Sequence, residues 1–183
     1  MDIKFYFENR WFIEQFFNNC DLLLQRLSRF KTIHDKNSLD YQVYFENILI
    51  SCRALFFESD HCSSNYTIRN FLTLINQNQI LQEIDDFFNS ILITHGEDTI
   101  SIRTGIKKIT DKLLAHYDKT EPQDLGLYNL LYAELQAGVF NEKTIENIIQ
   151  NTVLKILNAW NNFTGLTPEK LNELKNLDFD EDD

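Results

Sequence analysis

Apolar residues recur along this chain at steps of three and four, the period of helices that bury one face against neighbours. Between residues 3 and 30, Phe5, Phe12, Phe16, Leu23, Leu27 and Phe30 form one stripe, and Tyr6, Ile13, Phe17, Cys20 and Leu24 form a second beside it. So wide an apolar arc predicts a long helix with more than one packing partner. A second helix is expected to run to about Glu58, capped by Ser38 or Asp40 and carrying Tyr41, Tyr44, Phe45, Ile48, Leu49, Cys52, Leu55 and Phe56 inward. Residues 59–65 read as a polar loop, followed by a short helix from Tyr66 that buries Ile68, Phe71, Leu72 and Ile75.

The same period predicts a helix from Gln79 to Thr94, ended by Gly96. Asp98 is read as the N-cap of the next, whose stripe is Ile102, Ile106, Ile109 and Leu113. Further helices are expected over 124–137, from an Asn141 cap to Gly165, and in a short segment opened by Thr167-Pro168-Glu169. Alternation of period two is nearly absent, and only five Gly and two Pro interrupt the chain. The expected class is therefore all-α, an up-and-down helical bundle with additional short helices. We read residues 1–177 as one helical domain and 178–183 as a disordered acidic tail, since that tail has one aromatic and little to bury.

Charge narrows the function classes. The formal net charge is -11, which disfavours a general nucleic-acid coat or an anionic membrane surface. Five of the acids sit in the tail, however, and Arg103, Lys107, Lys108, Lys112 and Lys119 cluster in one stretch that can meet a phosphate backbone. The cysteines Cys20, Cys52 and Cys62 form no CxxC pair and are odd in number, which reads as reduced thiols in a cytoplasmic protein. No apolar run approaches the ~20 residues of a membrane span, and the first residues lack a signal peptide's apolar core.

Candidate chemistry gathers at the end of the Ile102 stripe. His116 lies only about 20° around the helix from Ile109, on or beside the buried face. It is either a packed histidine or a functional one, and Pro122 shortly after it ends the helix and gives the imidazole a route to solvent. His61 and Cys62 lack the further ligands that zinc requires, so no metal site and no cofactor are expected. No phosphate-binding glycine loop, GxSxG or HExxH occurs.

The segment Asp111-Lys112 followed by Leu114-Ala115-His116-Tyr117-Asp118-Lys119 resembles the RDKxxAHxDK signature of the HEPN superfamily, in its abortive-infection branch. The resemblance extends over roughly residues 38–120. It implies a HEPN-like helical fold, a homodimer, and binding or metal-independent endoribonucleolytic cleavage of RNA. On that reading His116 and Asp111 are the site residues, Thr110 stands where the family has Arg, and Arg103, Lys107, Lys108, Lys112 and Lys119 contact RNA. A hydroxyl cannot replace the fixed cationic fork of a guanidinium, so weak or absent cleavage with retained RNA binding is expected. Thr110→Arg is then expected to strengthen RNA binding. The alternative is a non-catalytic helical module that binds a protein partner, which the acidic balance of the chain fits better.

Overall fold

The computed structural model describes residues 3–58, 65–95, 98–111, 126 and 142–165. The first helix, α1 (Ile3–Phe30), has the expected limits. Its inward stripe of Ile13, Phe16, Cys20, Leu23, Leu27 and Phe30 is buried, and Phe5, Phe12, Phe17 and Leu24 pack at the margin. Both stripes read from the spacing are thus used, by different neighbours.

A polar connection then turns the chain, and Ser38 caps α2 (Leu39–Cys52) by accepting a hydrogen bond from the Tyr41 amide at 3.2 Å. Phe30 lies 4.6 Å from Tyr41 and 6.2 Å from Phe45 between ring centroids, fixing α2 against the C-terminal half of α1. Past Cys52 the backbone widens into a π-helical turn over Arg53–Phe57. Leu55, Phe56 and Phe57 are all buried there, three in succession. Successive helical side chains point about 100° apart, so three consecutive core residues mean that this turn is enclosed on several sides.

Thr67 caps α3 (Ile68–Leu74), and Phe71 stacks on Phe16 of α1 at 4.2 Å with nearly parallel rings. The following α4 (Asn78–Ser90) buries Leu81, Ile84 and Phe88. Phe88 closes onto Phe57 of the π turn at 4.7 Å.

Here the structure corrects the expectation. The helix does not continue to Thr94: β1 (Leu92–His95) and β2 (Asp98–Ser101) pair antiparallel, with Ile93 opposite Ile100 and Thr94 opposite Thr99. Ile91, Ile93, Thr94, Thr99 and Ile100 are β-branched, and a Gly-containing two-residue connection is a hairpin signature as well as a helix stop. Leu92 is mostly exposed. The next helix, α5 (Ile102–Ile109), accordingly begins later and is capped by Ser101, not Asp98.

The last described helix is α6 (Glu142–Thr164), which buries Ile148, Ile149, Val153, Ile156 and Ala159. Trp160 packs against Phe17 of α1 and Phe71 of α3, and Phe163 reaches Phe5 at 5.2 Å. Gly165, at φ +61°, takes the left-handed conformation that ends a helix at low steric cost. With 81% of the described residues helical, in six helices, the class is all-α. One hydrophobic cluster draws on all six helices and the π turn. No described helix is long and apolar enough to cross a membrane. All but residue 126 of the helix expected over 124–137, the segment after Thr167, the loop with His61 and Cys62, and the tail 178–183 lie outside the described residues.

Candidate functional site

Helix α5 carries the described part of the motif. Ser101 accepts from the Thr104 amide at 3.3 Å and starts the helix, while Ile102, Gly105, Ile106 and Ile109 turn inward. That leaves Arg103 and Lys107 on one flank and Lys108 on the exposed face, in the last turn where cations complement the helix dipole.

Thr110 follows directly and is buried, only 2% exposed. Its hydroxyl donates to the Ile106 carbonyl at 2.8 Å and lies 3.2 Å from the Lys107 carbonyl, so it satisfies itself on its own helix. An arginine at this position would have to carry its guanidinium out of a packed site. Backbone winding changes again here, with π-type geometry at residues 110–111.

Asp111 points away from that core and meets Arg53 of the first π turn, Nε to Oδ1 at 3.0 Å. The same guanidinium donates from Nη1 to Glu58 at 2.8 Å. Two π segments far apart in sequence are therefore tied by one arginine held between two carboxylates. Arg53 has no motif spacing to His116 or His61, and no local signal in the sequence marks it. The cluster still sets a guanidinium one residue from the position where the family pattern has its Arg.

The second charged group lies about two turns earlier on α5. Asp85 of α4 accepts from Arg103 at 2.6 Å and from Arg69 of α3 at 2.8 Å. Two guanidiniums share one carboxylate, and all three side chains are less than a third exposed. Lys107 lies one helical turn beyond Arg103. Among the described residues no carboxylate pairs with Lys107 or Lys108. The sequence singled out Arg103, Lys107 and Lys108 but missed Arg69 and Asp85, whose meeting depends on how α3, α4 and α5 pack. Elsewhere on α4, Lys155 of α6 bonds Glu83 at 2.7 Å and holds its carboxyl below the ordinary value.

Of the sequence-derived site residues, the structure brings Thr110, Asp111, Arg103, Lys107 and Lys108 onto one short helical stretch, with Thr110 facing the core, Arg103 and Lys107 half-buried at its margin, and Lys108 and Asp111 exposed. His116, Lys112 and Lys119 lie outside the described residues. No group of three or more His, Cys, Asp or Glu suited to a metal ion occurs among the described residues.

A separate feature runs beside α1. A groove of about 520 Å³ is lined by Leu22, Arg26, Ile50, Ser51, Leu55 and Glu58, among others, and Arg26 donates to the Ser51 hydroxyl across it. Tyr66 stands at one end and accepts from the Trp11 indole at 2.9 Å. Glu58 thus belongs both to the groove and to the Arg53 cluster. Comparison with protein-family models, with curated proteins and with solved structures gave no match to this chain.

Proposed function

We propose that the chain is a HEPN-like helical protein of phage-defence or toxin–antitoxin type that binds RNA along α5 with little or no cleavage. The observation that carries this reading is the cationic excess there. Arg69 and Arg103 share one carboxylate, Asp85, and Lys107 and Lys108 follow Arg103 on α5 with no carboxylate paired to them among the described residues, in a chain whose formal net charge is -11. A protein of that overall sign repels polyanions at long range, so a local reversal is where a phosphate backbone would be accepted. In the chemistry that the resemblance implies, His116 assists proton transfer at a ribose hydroxyl and a cation stabilises the charge that builds on the phosphate. The hydroxyl of Thr110 is spent on its own helix, and Arg53 is already held by two acids, which supports recognition with the cleavage step weakened.

Fluorescence anisotropy with single-stranded RNA, chelator present, tests it at low and moderate salt. The double variant Lys107→Glu/Lys108→Glu is expected to weaken binding by about tenfold or more and to reduce the salt slope by roughly two. No binding by the wild-type chain at low salt, or equal binding by the variant, overturns the reading.

A second reading, a helical module for protein association, is favoured by a different observation. Phe7, Trp11 and Leu22 on the outer side of α1 and Ile50 on α2 are 58%, 68%, 44% and 40% exposed. Leu22 and Ile50 line the groove, and large apolar side chains left exposed in this way favour an association surface.

A further inference from the structure

We infer that the acidic segment 178–183 of this chain docks on the basic face of α5 and competes there with RNA. The inference rests on the RNA reading and gives that site its regulation. Arg103 and Lys107 stand one helical turn apart in a row on α5, with Lys108 beside them on the exposed side. Arg103 shares the Asp85 carboxylate with Arg69, and no carboxylate among the described residues pairs with Lys107 or Lys108. Segment 178–183 holds the opposite imbalance: Asp178, Asp180, Glu181, Asp182 and Asp183 make up all of it but Phe179, and none of its residues is basic. Opposite charge at this density on the two sides is the complementarity that selects the occupant.

The chain is long enough to make this contact. Lys155 of α6 bonds Glu83, and Arg103 of α5 bonds Asp85, two positions further along α4. Side chains two positions apart on a helix point about 200° from one another, so α6 and α5 flank α4 on opposite sides, about two helix spacings or 20 Å apart. Gly165 lies roughly 15 Å beyond Lys155 along α6. The thirteen positions from Gly165 to Asp178 span up to about 45 Å, which covers both distances. Like charges repeat on each side, so the contact forms in many registers and needs neither a fixed conformation nor apolar burial. Each exposed pair is weak and screened by salt, but the tether holds the acids at an effective concentration in the millimolar range. RNA, with its longer run of phosphates, displaces them.

Backbone amide chemical shifts of the full chain, without RNA, test the contact. The comparison is a full-length variant carrying Asp178→Asn, Asp180→Asn, Glu181→Gln, Asp182→Asn and Asp183→Asn, which removes the charge and keeps the length. At about 20 mM salt the differences are expected to concentrate at residues 103–108 and to fade by about 300 mM. No difference there, or one centred on Arg26 and Arg29 of α1, overturns the docking. Shifts that depend on protein concentration place the segment on a second copy and overturn it as well. Fluorescence anisotropy then tests the competition: the neutralised chain is expected to bind single-stranded RNA about three- to tenfold more tightly at low salt, and equal affinity overturns it. Tighter binding without the local shifts reflects net charge alone and also counts against docking. Should neither chain bind RNA, the RNA reading falls, and the shifts at residues 103–108 still decide whether the segment docks.

Discussion

Thr110 decides more about this site than any other described residue, because its position is half legible in the sequence. Its place in the motif is visible from the letters around it. Its burial is not, since a threonine is at home on either side of a helix. With the hydroxyl bonded to the Ile106 carbonyl and the side chain 2% exposed, a guanidinium introduced there must either remain buried or distort the turn. The gain of RNA affinity expected from the sequence for Thr110→Arg therefore meets a stability cost. We expect Thr110→Arg to destabilise the fold by about 3 kcal/mol or more, through overpacking and a buried charge. Thr110→Val, which keeps the shape and loses one hydrogen bond, should cost no more than about 1–2 kcal/mol. Urea unfolding of both variants measures the difference, and equal midpoints for Thr110→Arg and wild type would refute the packed placement.

At the scale of elements, ion pairs join what the apolar periods leave unspecified. Asp85 holds α3 and α5 to α4 through Arg69 and Arg103, and Arg53 holds the π turn to the end of α5. Removing the shared acid should leave two partly buried guanidiniums facing each other. Asp85→Ala is expected to lower stability by about 2–4 kcal/mol, with part of the loss recovered by adding Arg103→Met, because the repulsion then has only one member. Chemical denaturation of the single and double variants reads this as a coupling, and strict additivity would show that the three residues act independently.

For the whole molecule, burial of two thiols ties stability to alkaline pH. Cys20 and Cys52 sit in the core between α1 and α2, and burial alone pushes each up to about 12 from an ordinary 9.0. The unfolded chain thus releases these protons near pH 9, whereas the folded chain keeps them until about 12. The folded state binds more protons between those values, so its stability is intact below pH 9 and falls as pH rises through the window. Each thiol contributes a slope of about -1.4 kcal/mol per pH unit there. Cys52→Ala should flatten the fall in melting temperature from pH 9 to 10.5 relative to wild type, and an unchanged slope would place the effect elsewhere. Alkylating reagents at pH 8 should spare both thiols in the native state, because the thiolate is the reactive form.

The sequence by itself determined the all-α class, the limits of α1, a cap for α2 at Ser38 or Asp40, the stop at Gly165 and the residues α3 buries. Each rests on a local rule: a three-to-four apolar period, a capping hydroxyl, a glycine free to take positive φ. It also marked Arg103, Lys107 and Lys108 as a basic cluster, since charge can be read directly, and the resemblance added Asp111. What it left open had two equal local solutions. Residues 91–94 suit a helix face or a strand, and pairing with 98–101 made them a strand. Only the tertiary structure turned Thr110 inward, brought Arg53 to Asp111 across 58 positions, joined Arg69 and Arg103 on Asp85, and left Phe7, Trp11 and Leu22 facing out. These depend on which helix faces which, and that is settled by packing all the apolar faces at once, which no single segment can specify.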